Sequence, residues 1–370
     1  MRTLTRSVRR GSLAAGIAVT AAVALAACGS SGGSAKASLD PKADLTKQTL
    51  TISNWAGYYP EDLADTVKAA FGTPVTITNH ATNEEIMAKL TAGGDSGIDV
   101  AFVSGQYAQA LNAAGLLEPI HADLIPNLSN LYPEATTLPY DSGNTFSVPY
   151  AWGTTGICYR SDLVSGTPDS WNAILTPSAD TAGKITALST ERWLALPALK
   201  SLGYSINTTN PDELAKAKDL LVAAKPGLLA YDDTTFYTRL VSGEAVMAEA
   251  WDGWCNYAIA EDPNVKFIVP KEGSDLWTDT MVILKTSKNK EAAHAFINFI
   301  LAPENHGWVA ENILYKVPNK AAMDKVGAAL AESFPNMGMT PADLLKQEAI
   351  IDLGEKSSAY TKLATEVTSS

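Results

Sequence analysis

Thr49-Leu50-Thr51-Ile52-Ser53-Asn54 decides how the rest of the chain is read. Its apolar and β-branched residues alternate with a period of two, the pattern of a strand with one buried face. Pro60-Glu61-Asp62 then opens a helix, with proline in its first turn and acids near its positive end, and Gly72 closes it. Pro74 to Thr78 is a second β-branched run. Thr82-Asn83-Glu84-Glu85 has the capping-box form and launches a helix to Leu90. Ile98 to Val103 is an apolar strand, and Ser104 to Ala114 a helix stopped by Gly115. Strand and helix therefore alternate three times, which predicts a parallel sheet with helices on both faces. In such sheets ligands lie off the carboxyl ends of the strands. Asn54-Trp55-Ala56-Gly57-Tyr58-Tyr59 and Ser104-Gly105-Gln106-Tyr107 occupy two of those ends.

Outward from this block, residues 119–141 are irregular and proline-containing, and two strand-like runs follow at Phe146–Tyr150 and Thr155–Tyr159. A first crossing into a second lobe is expected there. Lys184–Leu188 (strand), Thr190–Leu202 (helix), Pro211–Ala224 (helix), Leu228–Tyr231 (strand), Thr234–Leu240 (helix) and Glu244–Ala250 (strand) would build that lobe. Trp251-Asp252-Gly253-Trp254 ends its last strand. The turn Lys271-Glu272-Gly273 then feeds a strand through Leu284, and helices are expected at Lys290–Leu301 and Glu304–Asn312. In an extended segment residues two apart share a face, so Trp277 and Asp279 project together. An indole beside a carboxylate suits an organic cation, through cation–π attraction and a charge-assisted hydrogen bond. A core tryptophan and a surface acid would produce the same pattern.

The chain has 28 Lys and Arg against 40 Asp and Glu, a formal charge of −12. Its first 27 residues hold four arginines and no acid, so the remainder carries 24 basic against 40 acidic residues, or −16. That field repels nucleic acid and attracts cationic solutes. The basic start, an apolar run from Leu13 to Ala27 and the box Leu25-Ala26-Ala27-Cys28 read as a cleaved lipoprotein signal, with lipid on Cys28. Arg9-Arg10 leaves twin-arginine export open beside the general route. Gly29 to Lys47 reads as a flexible tether. Beyond it lie about 320 residues, more than one simple core usually accommodates, so two lobes are expected. Cys158 and Cys255 are free to pair outside the cytoplasm, which the sequence leaves open. The four histidines, His80, His121, His294 and His306, show no metal-ligand spacing, so neither metal nor other cofactor is expected.

These elements bring a family into view. Asn54-Trp55-x-x-Tyr58, Asn83-Glu84-x-x-x-Ala88-Lys89-Leu90, Pro149-Tyr150-Ala151-Trp152-Gly153, Leu202-Gly203-Tyr204-Ser205, Pro270-Lys271-Glu272-Gly273, Ala295-Phe296-Ile297-Asn298-Phe299 and Val317-Pro318-Asn319 stand in one order. In that order and spacing, from Leu50 to about Gly354, the chain resembles the periplasmic spermidine/putrescine-binding proteins of ABC importers. The resemblance implies an α/β, two-lobed periplasmic binding protein of type II, each lobe a mixed sheet flanked by helices, closing on ligand in the cleft. It divides the chain into signal peptide (1–27), tether (28–47), first lobe (48–152 and 279–319) and second lobe (153–278, with C-terminal helices in 320–370). It also implies cleft aromatics at Trp55, Tyr58, Trp251, Trp277 and Tyr315, a hydrogen-bonding serine at Ser104 and an amine-holding carboxylate at Asp279.

This sequence also departs from the family's pattern. Gly57 replaces an acid common there, and Gln106 stands where an aromatic is often found. The pair of carboxylates that opens the second lobe's first helix falls on Thr190 and Trp193, leaving only Glu191 nearby. Asp252 is a further candidate charge. Trp152 and Trp254 are expected to pack near the crossing strands. A diamine or triamine needs a carboxylate at each cationic end, because a buried ammonium without a partner is heavily penalised. The expected function is therefore capture of a polyamine-like or smaller organic cation by a monomer, lipid-anchored outside the cytoplasm and serving a permease with its ATPase. Alternatives are an amino-acid-like amine, a sugar or ferric ion on the same fold. An enzyme is the competing class, but the folded body has no Gly-x-Ser-x-Gly elbow or Gly-x-Gly-x-x-Gly turn. Ser287-Lys288-Asn289-Lys290 fits Ser-x-x-Lys only formally, as a loop entering a helix.

Overall fold

The computed structural model describes residues 39–370. The expected signal peptide, Cys28 and the first part of the tether lie outside the described residues. The tether's end does not hang free. The Asp40 amide donates to Glu291, Thr73 Oγ1 donates to the Leu45 carbonyl, and Leu45 packs on the core.

Among the described residues the strands, in chain order, are β1 (Leu50–Trp55), β2 (Val75–His80), β3 (Val100–Ser104), β4 (Val148–Gly153), β5 (Thr155–Arg160), β6 (Ile185–Ala187), β7 (Ala230–Tyr231), β8 (Met247–Trp251), β9 (Val265–Ile268), β10 (Asp275–Ile283) and β11 (Glu348–Ala349). They form two mixed sheets. The first runs β11-β10-β3-β1-β2 with β4 also paired to β10, and the second runs β7-β6-β8-β5-β9. β1 is parallel to β2 and β3, as the three alternations predict, while β10 enters antiparallel to β3. Every residue of β3 is buried, because helices cover both faces of the sheet there. In the second sheet β6 is parallel to β7 and β8, and β5 is antiparallel to β8 and β9.

Local chemistry explains the helix limits. Leu63–Phe71 ends at Gly72, whose φ of 77° is open to glycine at little cost. Asn83–Thr91 starts with the Thr82 hydroxyl accepting the Glu85 amide, while the Glu85 carboxylate accepts the Ala81 amide. Pro211–Ala224 begins with proline behind the Asn210 side-chain cap. The helix Asp252–Glu261 and strand β9 carry no pattern strong enough to be expected from sequence.

The sheets meet where strands cross. β4 and β5 are consecutive, with Thr154 alone between them. At the start of β10, the buried Asp275 carboxylate accepts the Thr155 amide, and Ser274 Oγ donates to the Thr155 carbonyl. Cys158 of β5 and Cys255 of the helix Asp252–Glu261 form a disulfide, so the pairing left open by the sequence is made. The loop Tyr315–Asn319 lies on the first sheet's side. Its Lys316 carbonyl accepts the Trp152 amide, and Pro318 that of Tyr132. The C-terminal region then divides. Lys320–Ser333 packs on Pro303–Ile313, whereas Ser358–Ser369 packs on Glu191–Ser201 and Pro211–Ala224 beside the second sheet.

Candidate functional site

Three strand ends of the first sheet converge. Antiparallel pairing sets Asp279 of β10 opposite Ser104, the last residue of β3. Ser104 begins a helix, yet its hydroxyl does not cap it. Ser104 Oγ donates to Asp279 Oδ1 at 2.7 Å, and the Tyr58 hydroxyl, from the loop after β1, donates to Oδ2 at 2.9 Å. Further contacts fix both donors. Asn83 Nδ2 donates to Ser104 Oγ at 3.0 Å and Asn83 Oδ1 accepts the Ser104 amide. The Tyr58 carbonyl accepts from the Tyr150 hydroxyl and from Asn54 Nδ2. No Lys, Arg or His among the described residues lies within ion-pair distance of Asp279, which holds only two neutral hydroxyls. Burial pushes its carboxyl up to about 6, against the lowering effect of those two hydrogen bonds.

Asp279 lines a cavity of about 470 Å³. From the first sheet's side come Trp55, Tyr58, Ser104, Trp277 and Tyr315, and from the second Trp193, Trp251, Trp254 and Tyr257. The aromatic rings meet edge to face, Tyr58 with Tyr315 at 5.1 Å, Trp277 with Tyr315 at 5.5 Å and Trp55 with Tyr58 at 5.7 Å between centroids. Across the cavity Trp193 and Trp251 meet at 5.7 Å, and Asp275 fixes Trp193 by accepting its indole N–H at 2.8 Å. Two glycines make room for this wall. A Cβ on Gly153 would overlap the Asp252 carboxylate and the Trp277 ring, and one on Gly253 would overlap the Tyr315 ring. The result is an electron-rich box around the Asp279 carboxylate, which no protein cation neutralises among the described residues, an arrangement suited to an organic ammonium.

Seven of the ten candidate ligand residues thus share the cavity, namely Trp55, Tyr58, Ser104, Trp251, Trp277, Asp279 and Tyr315. The structure places the other three elsewhere. Asp252 is 1% exposed and ion-paired with Lys316 Nζ, itself 3% exposed, so its charge is already neutralised inside the protein. Glu191 turns toward the C-terminal helix and accepts the Thr361 hydroxyl at 2.6 Å. Gln106 is buried in the first turn of its helix, outside the cavity wall.

Trp152 is buried and stacked on Tyr132, as expected, whereas Trp254 faces the cavity because the unexpected helix after β8 turns it there. Sequence reading also missed Tyr257, Glu84 and Asp233 on the wall. Glu84 had a signal in the Asn83-Glu84 motif, and Asp233 had none. Thr190 and Trp193, the positions where the resemblance led us to look for carboxylates, line the cavity with a hydroxyl and an indole.

Residues 62–329 match the family model described as bacterial extracellular solute-binding protein. The spermidine/putrescine-binding periplasmic protein of Salmonella typhimurium is 31% identical over 313 residues, covering 84% of this chain and 89% of its own. Among solved structures, a Listeria monocytogenes protein assigned as a spermidine/putrescine ABC transporter superposes with a TM-score of 0.80 at 32% identity. It covers 87% of this chain and 99% of its own. The Tp0655 (TpPotD) lipoprotein of Treponema pallidum gives 0.78 at 27% identity, with 86% and 99% covered. These matches bear out the expected two-lobed α/β binding-protein fold and a role in solute binding rather than catalysis. The chain belongs to the bacterial extracellular solute-binding proteins.

Proposed function

We propose that this protein captures a polyamine-like cation outside the cytoplasm and delivers it to an ABC permease driven by a separate ATPase. One observation carries the reading: the Asp279 carboxylate, lacking a protein cation, lies in an aromatic-walled cavity between the two sheets. An ammonium there gains a charge-assisted hydrogen bond and cation–π contacts with the indoles. The names of the Salmonella and Listeria relatives support the same substrate class and the importer role. Sugar and ferric ion fit the box less well, since a neutral sugar leaves the Asp279 charge unmatched and the wall around it is aromatic rather than a set of anionic metal ligands.

The two sheets are the cores of the two lobes, with β4–β5 and β10 as crossing strands, and ligand touching both walls stabilises the closed form. The Leu25-Ala26-Ala27-Cys28 box, together with similarity to a Treponema lipoprotein, supports a lipid anchor on Cys28. The mass of the N-terminal peptide from membranes tests that anchor.

The substrate is tested by thermal shift against putrescine, spermidine, agmatine, choline, γ-aminobutyrate, maltose and Fe³⁺, followed by calorimetry on each hit. Stabilisation by the amines alone is expected. A shift with maltose or iron and none with any amine would remove the reading.

A further inference from the structure

The Asp279 box neutralises one positive charge, and an amine with two or three needs another acid within reach of the same cavity. The start of the helix Glu191–Ser201 does not supply it. Thr190 and Trp193 face the cavity there, and Glu191 is held by Thr361 outside its wall. Two other carboxylates do line the cavity, Glu84 and Asp233. Resting on the function proposed above, we infer that Glu84 and Asp233 form a second cation subsite, which takes the distal ammonium of a di- or triamine whose near end is on Asp279.

Four features of the fold support the assignment. Glu84 follows Asn83, whose side chain holds Ser104, so the helix that carries Glu84 is tied by two hydrogen bonds to Asp279. Its carboxylate accepts the Tyr107 hydroxyl, one turn beyond Ser104 in the neighbouring helix. Asp233 comes from the other side, after β7, and is held by the Ser189 amide at 2.8 Å and by the Ser189 hydroxyl. All these partners are neutral donors. Among the described residues neither carboxylate has a Lys, Arg or His within 4.0 Å, so both oriented charges are uncompensated.

The wall beside Glu84 supplies an independent sign of a ligand. His80 lines the same cavity, is 5% exposed, and has an Nε2 without any protein partner. Its Nδ1 is engaged with Ser53 Oγ at 2.9 Å. In the tautomer whose Nδ1 donates to Ser53, Nε2 carries a lone pair for an ammonium N–H. Burial keeps the ring neutral down to about pH 4, so it does not repel a cation under ordinary conditions.

The arrangement has a mechanical consequence. Glu84 belongs to the first sheet's side and Asp233 to the second's, so an ammonium bound by both would bridge the two sides. A second positive charge then favours the closed form, whereas a monoamine on Asp279 leaves Glu84 and Asp233 unneutralised. The subsite therefore selects for charge number.

Calorimetry with putrescine, spermidine and butylamine, at one pH and low salt, tests the inference. The wild type should bind putrescine at least about tenfold more tightly than butylamine. Glu84→Gln and Asp233→Asn should each cost putrescine about fivefold or more, and the double variant should bind the two amines alike. Asp279→Asn should weaken all three ligands. If the double variant keeps its putrescine preference while Asp279→Asn loses it, the subsite is refuted and the proposed function stands. A wild type that does not distinguish putrescine from butylamine also refutes the subsite. Failure of every amine to bind the wild type removes both.

Discussion

Two aspartates, each close behind a tryptophan in the sequence, meet opposite fates. Asp252, just beyond β8, is fully buried and Asp279 of β10 is partly so, and burial raises both carboxyl groups. Asp252 meets Lys316, and Asn336 Nδ2 donates to its carbonyl at 2.8 Å, so charge and backbone are satisfied within the protein. Asp279 meets a serine and a tyrosine, which orient it without neutralising it. The difference teaches that burial does not by itself mark a binding carboxylate. What marks it is burial with neutral partners only, beside an open volume.

The largest expected effect breaks the closed half of the comparison. Lys316→Met strands the Asp252 charge and should cost about 3–5 kcal/mol of stability by urea unfolding, with most of it recovered in the Asp252→Leu/Lys316→Met double variant. A single variant as stable as wild type would mean that the ion pair is not formed. On the open half, Asp279→Asn should cost amine affinity about 2–5 kcal/mol in calorimetry. The same change should raise thermal stability at neutral pH. A folded-state value near 6, above the ordinary 3.8, means that ionising Asp279 opposes folding as pH rises from about 4 through 6. Loss of stability at pH 7 would contradict that environment.

The contrast sharpens with pH. Amine binding requires ionised Asp279, so affinity should be flat above pH 6 and fall about tenfold per unit below it. Asp279→Asn should abolish the Asp279 step in that profile. The smallest effect comes from Tyr58→Phe. Removing one donor should cost about 1 kcal/mol of amine affinity and move the pH midpoint upward, because that hydrogen bond favours the carboxylate. A midpoint moving downward would show that the hydroxyl stabilises the acid form instead.

Much of the cavity's first wall was legible because it follows local rules. Period-two alternation placed Trp277 and Asp279 on one side of β10, and strand ends placed Trp55, Ser104 and Trp251 where such sheets bind ligands. Family likeness added Tyr58 and Tyr315. The second wall was less legible. Trp254 and Tyr257 face the cavity because of the helix Asp252–Glu261, whose sequence has only a weak amphipathic pattern. Asp233 sits in a polar turn that resembles any surface turn until Ser189 is seen to orient it.

The sequence by itself determined the acidic field, which follows from composition, and the strand and helix rhythm and the aromatic–acid pair of β10, which follow from neighbours at fixed short spacing. Only the tertiary structure decided which acids are neutralised. Asp252 finds its cation 64 residues later, and Cys158 its partner 97 residues later. Adjacent Tyr315 and Lys316 have separate tasks, one lining the cavity and the other neutralising a buried charge. The physical reason is that a carboxylate's availability depends on the charges within a few ångströms in space, and chain path rather than sequence distance sets those neighbours.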